Sequence, residues 1–180
     1  MKKIVIVFGL IAGVIVSAWA VCGAGLCYSG GNYTTGMVLG YASMILAFSL
    51  VFVGVKNYRD KFNSGVISFG KAFKIGFYIT LIASTMYVLV WLVDYYLFIP
   101  DFMDKYSAHM ISQAQHSGAT AAEIANKTKE AASMKEMYKS PVMVVLFTYM
   151  EIFPVGLVVT IITALILKRN ENKASLAAAN

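Results

Sequence analysis

The sequence predicts an all-α integral membrane bundle of four transmembrane helices, with an extracytoplasmic helical hairpin between the third and the fourth. Three observations carry this reading. Four apolar stretches, about 4–28, 36–55, 72–99 and 142–167, are each long enough to cross a bilayer, since about 20 apolar residues span the hydrocarbon at 1.5 Å per residue. The chain of 180 residues is 59% hydrophobic and only 13% charged, about half the charge of an ordinary soluble domain. Folded in water it would expose large apolar patches. Third, its basic residues fall on one side of a four-span topology. Within lipid the backbone must satisfy its own hydrogen bonds, so each stretch becomes a helix. Residues 1–169 form one membrane domain, followed by a disordered cytoplasmic tail at 170–180.

The first stretch opens with Lys2 and Lys3 and contains Ala18-Trp19-Ala20, which resembles a signal peptide with a cleavage site after Ala20. Its apolar run continues to about Tyr28, longer than the roughly 7–15 residues of a signal core, so a retained helix is expected. Cys22 and Cys27 lie five apart. On a helix they diverge by about 140°, which leaves them as small apolar residues.

Small residues recur at four-residue spacing in every span: Gly9, Gly13 and Ser17; Gly36 and Gly40, with Ser43 and Ala47 beside them; Gly76, Thr80 and Ser84; Gly156, Thr160 and Ala164. Such spacing places them on one helix face and lets backbones approach closely. Internal packing is the expected use, and homo-oligomerisation the alternative. Tyr28, Tyr33, Trp91, Tyr95 and Tyr96 fall near the outer boundary, where aromatic belts gather.

The connection between the second and third spans carries Lys56, Arg59, Lys61, Lys71 and Lys74. Gly65, Gly70 and Lys71 give a literal match to a phosphate-binding loop. Ala72 replaces the Ser or Thr that holds magnesium, and no strand precedes it. An interfacial elbow is the better expectation: apolar residues dip into the headgroups while Lys71, Lys74 and Arg59 meet anionic lipid at the inner leaflet. With Lys2, Lys3, Lys168, Arg169 and Lys173 these make ten basic residues on one side. The connection after the first span has no charge, and in the one after the third span five lysines are balanced by five acids. The positive-inside rule then places both termini in the cytoplasm, in a multi-pass protein of the cell inner membrane. The basic charge is a signal of topology and anionic lipid; a nucleic-acid reader would need a soluble basic face.

The outer connection, 101–140, reads as two helices. One runs from 101 to about 115 and breaks at His116-Ser117-Gly118. The other opens with a capping box, Thr120 and Glu123, and runs to about Tyr138. Phe102, Tyr106 and Met110 form one apolar stripe, and Ile124, Ala131, Met134 and Tyr138 another. His109 and His116 are the only histidines and do not make a metal ligand set by themselves. No metal or cofactor is expected.

Two acids fall inside the spans. Glu151 lies ten residues past Pro141, about 15 Å along the helix. An ionisable group there costs at least about 2.5 kcal/mol on insertion scales. Pro154 removes the hydrogen bond to the Met150 carbonyl, giving a polar spot beside the acid. Two readings stay open. Glu151, Pro154 and Asp94 may be read as an intramembrane polar site, or Glu151 as interhelical glue bonding Thr80, Ser84, Thr85 or Tyr87. Asp94, six residues before Pro100, is expected to reach the headgroups.

With these segments laid out, the chain resembles a bacterial family catalogued as domain of unknown function 4199. The resemblance rests on Leu39-Gly40-Tyr41-Ala42-Ser43-Met44, on 52–61, on Ile67-Ser68-Phe69-Gly70-Lys71-Ala72-Phe73, on Pro100-Asp101-Phe102-Met103 and on Glu151-Ile152-Phe153-Pro154-Val155-Gly156 through Arg169. It implies a small inner-membrane protein and brings no assigned chemistry. For want of a catalytic constellation an enzyme is not expected. The expected function is a non-enzymatic accessory or interaction subunit, and the alternative a small ion- or proton-coupled carrier or channel using Glu151 at the Pro154 kink.

Overall fold

The structure, a computed structural model, describes residues 1–28 and 33–169. Most of the uncharged first connection and the 170–180 tail lie outside the described residues. Six α-helices follow in order: α1 (Lys2–Tyr28), α2 (Tyr33–Phe62), α3 (Phe69–Val93), α4 (Phe102–His116), α5 (Ala121–Met137) and α6 (Pro141–Leu167). Between α3 and α4 the chain makes a π-helical turn, Asp94–Phe98. Helices α1, α2, α3 and α6 are the four long and apolar enough to cross a membrane.

These four form a ring in the order α1, α2, α6, α3, and α3 also touches α2 across the middle. The direction of each helix follows from residue pairs. Gly9 and Gly13 of α1 face Ile82 and Met86 of α3, so these two run parallel. Gly76 faces Thr160 and Gly156 faces Thr80, so α3 and α6 run antiparallel. That is the alternation four successive crossings require.

Small residues decide how close the helices come. A Cβ on Gly156 would stand 2.5 Å from Thr80 Cγ2 and 2.7 Å from Phe48 Cζ. One on Gly76 would stand 2.8 Å from Thr160 Cγ2. On α1, Gly9 and Gly13 would meet Ile82 at 2.9 Å and Met86 at 2.6 Å. The glycine faces of α1, α3 and α6 are therefore consumed by internal packing. The stripe on α2 is a correction to that rule, because a Cβ on Gly40 meets nothing within 4 Å.

Helix α2 outruns its apolar stretch and carries Lys56, Arg59 and Lys61 on its last turns. Ser64 and Gly65, at φ 51° and 77°, end it in the left-handed region, and the Gly65 N–H bonds the Arg59 carbonyl at 2.9 Å. The following elbow turns inward. Ile67 is buried in the main core and exchanges two backbone hydrogen bonds with Arg169, at 3.1 and 2.9 Å. Lys71 donates to Asn63 Oδ1 at 2.9 Å and stands over the Tyr58 ring. Arg59 donates to Asp60 at 2.6 Å. Of the three basic residues expected at lipid, Lys74 is exposed, whereas Arg59 and Lys71 are half-buried. An aromatic face and an amide within reach hold the Lys71 ammonium group against the end of α2.

Helix α5 opens with the expected capping box: the Glu123 N–H donates to Thr120 Oγ1 at 3.3 Å and the Thr120 N–H to Glu123 Oε2 at 2.7 Å. Helices α4 and α5 pack on each other through a turn at Gly118, φ 75°. They also lean on the bundle, with Trp91 edge-on to Phe102 at 5.2 Å and Tyr138 stacked on Phe147 at 5.6 Å. Lys105, Lys127, Lys135 and Lys139 pair with Asp101, Glu130, Asp104 and Glu136, which accounts for the balanced charge of this connection. The pairs are exposed, so solvent and salt screen them.

Substituting Gly156 by Ala overpacks the α3–α6 contact and should destabilise by about 1–3 kcal/mol. Gly40→Ala should be neutral or stabilise by up to about 1 kcal/mol through helix propensity. Thermal unfolding of both variants in mild detergent checks this pair.

A candidate ligand site beneath the α4–α5 pair

At the end of the bundle covered by α4 and α5 lies a cavity of about 380 Å³, within the roughly 300–1,000 Å³ range of small-molecule sites. Its walls come from the last turns of α1, the first turns of α2, the end of α3 and the inner faces of α4 and α5. The sequence explains why it is there. Gly36, Gly40 and Ser43 leave α2 without bulk just where it passes α3 and α4. Opposite them, Phe102, Tyr106 and Met110 present the apolar stripe of α4.

Glu151 of α6 lines this cavity. Its side chain is exposed, and no hydrogen bond reaches it among the described residues. Of the four polar residues expected as its partners, Tyr87 lines the same cavity, and both threonines are engaged elsewhere. Thr80 Oγ1 donates to the Gly156 carbonyl at 3.3 Å and lies 3.0 Å from Thr160 Oγ1. Thr85 Oγ1 lies 2.7 Å from the Tyr149 hydroxyl. Ser84 is buried with its hydroxyl unpaired. Interhelical polar contacts between α3 and α6 thus exist, but threonines and Tyr149 make them, and Glu151 is left over.

Around the carboxylate the walls are aromatic. Tyr87, Trp91, Tyr106 and Tyr138 line the same space, as does Trp19 from α1. Both tryptophans of the chain therefore border the cavity. The rings brace one another: Tyr95 packs on Trp91 at 6.3 Å and on Tyr138 at 5.8 Å. The Tyr138 hydroxyl is pushed up to about 12, by burial first and then by the nearby Glu151 carboxylate.

The structure separates Asp94 from Glu151. Asp94 begins the π turn, where its carbonyl accepts from the Ile99 N–H at 3.0 Å, and it does not line the cavity. It is 7% exposed, with Oδ2 unpaired among the described residues. Its side chain is thus buried against the protein where α3 gives way to the π turn. Pro154 sits inside α6, which continues past it. His109 lines the cavity, whereas His116 bonds the Ser112 carbonyl at 2.7 Å. Among the described residues no three of His, Cys, Asp and Glu gather as a metal would require. The cavity itself was missed in the sequence, although Gly36, Gly40 and Ser43 signalled it.

The fold and site define a class: a polytopic helical membrane protein with a covered, aromatic-walled cavity at one end. Residues 7–169 match the family described as protein of unknown function DUF4199, and the chain belongs to that family. No curated protein and no solved structure matches it.

If Glu151 were glue, removing its charge would loosen the bundle. We predict instead that Glu151→Gln leaves the unfolding midpoint unchanged or raised, while Thr80→Val lowers stability by about 0.6 kcal/mol, the usual weight of an interhelical hydrogen bond. Unfolding of the two variants side by side, in the same detergent, measures this.

Proposed function

We propose that the protein is a non-enzymatic accessory protein of the cell inner membrane that holds a small molecule in this cavity. The observation that supports it most is Glu151 standing unpaired in a covered space, an arrangement that stability does not require. The inner half of the bundle is filled by Phe48, Val51, Ile75 and Ile79, all fully buried, which favours one-ended binding over conduction. In this reading α4 and α5 roof the site, and their exposed outer faces are where a protein partner would contact the chain. A second reading, an ion- or proton-coupled carrier using the same carboxylate, is favoured by Pro154, which frees the Met150 carbonyl next to Glu151.

The ten basic residues support an orientation with both termini in the cytoplasm and the cavity facing outward. Single cysteines at Lys129 and Lys61, with Cys22 and Cys27 replaced, test it. The first should react with an impermeant maleimide in intact cells and the second only after lysis; the reverse pattern refutes the orientation.

Gly40 lines the cavity and a Cβ there meets nothing within 4 Å, so Gly40→Leu should project bulk into the space. Native mass spectrometry of protein released from mild detergent should show a retained small molecule on the wild type and none on Gly40→Leu. Equal occupancy of the two refutes the binding reading. Flux through proteoliposomes that Glu151→Gln abolishes would instead establish the carrier.

A further inference from the structure

We infer that the cavity takes an amphiphilic organic cation, an ammonium or comparable onium group on an apolar body, with Glu151 as its counter-ion. This rests on the binding reading above and names the ligand class. Four features narrow it. Glu151 is the only acidic or basic side chain other than His109 among the lining residues, so the site offers one negative charge with no fixed lysine or arginine to neutralise it. An anion would face that charge within low-dielectric walls, where repulsion is strongest. A neutral apolar ligand would strip water from the carboxylate, which must then take up a proton or stand unpaired, and it would offer no charge in return. A bare hard metal ion takes several oxygen ligands, and the lining gives one carboxylate in a space of about 380 Å³.

A cation with apolar substituents satisfies every wall at once. Its charge pairs with Glu151. Its charged centre can sit on the faces of Tyr87, Trp91 and Tyr138, where a desolvated cation–π contact contributes about 2 kcal/mol or more. The Trp91 and Tyr138 rings are held by their neighbours before any ligand arrives, so they have little conformational freedom to lose on binding. Its body fills the space that Gly40 leaves open.

Three probes of similar size and different charge test this: tetraphenylphosphonium, tetraphenylborate and triphenylmethanol. Each is titrated onto the full chain in nanodiscs of zwitterionic lipid, with tryptophan emission as the readout, because Trp19 and Trp91 are the chain's only tryptophans and both border the cavity. The signal counted is the saturable part lost in Gly40→Leu, which removes partitioning into lipid. The expected result is saturable binding of tetraphenylphosphonium to the wild type, weakened at least about tenfold in Glu151→Gln, with no such signal from tetraphenylborate. If all three probes bind alike and Glu151→Gln changes nothing, the cation assignment is overturned while cavity binding stands. If no probe gives a Gly40-dependent signal, both are overturned.

Discussion

The contact on which this bundle depends is the mutual insertion of Thr80 and Gly156, and of Gly76 and Thr160, between α3 and α6. Lipid gives no hydrophobic reason for helices to associate, so close packing and a few hydrogen bonds must do it. Here both come from the same four residues. Each glycine makes a recess, each threonine methyl fills one, and the hydroxyls bond to each other and to the Gly156 carbonyl. Phe48 then closes on Gly156 from α2, and Gly9 and Gly13 bring α1 against the far side of α3. With α3 so tightly held on two sides, the remaining freedom lies where α2 has no bulk, and there the cavity forms.

Most of the fold was legible because lipid makes its demands visible in composition. Long apolar runs, the placement of lysines and the Thr120–Glu123 capping box each have one dominant physical reading, and the helix limits fall within a few residues of it. The ends of α2 and α3 were less legible. A helix does not need apolar residues to continue, so α2 carries on through Lys56 to Lys61. Asp94 looked close to the membrane edge by counting, but its burial and the π turn that starts there have no composition signature of their own.

The candidate site was half legible. Glu151 stood out as an acid within an apolar run, which singled it out for explanation. Its surroundings were not readable, because spacing cannot tell a small-residue face that packs from one that faces open space. Gly156 and Gly40 look alike in sequence; a Cβ on one collides with two side chains and on the other meets nothing. The same ambiguity explains Lys71, whose position beside a membrane helix suggested lipid and whose actual partners, Asn63 and Tyr58, come from the end of α2. Contacts across elements decide these cases, and one-dimensional pattern does not contain them.

The pair of backbone hydrogen bonds between Ile67 and Arg169 gives the molecule a mechanical asymmetry. They tie the loop between α2 and α3 to the end of α6, at the opposite end of the bundle from the cavity. A bundle pinned at one extremity and hollow at the other would open like a pair of tongs. Widening at the cavity would pivot about the pinned end, with the helices splaying most at the cavity rim and least where α6 terminates. Displacement at the rim would become tilt along α2, whose far turns carry Lys56, Arg59 and Lys61.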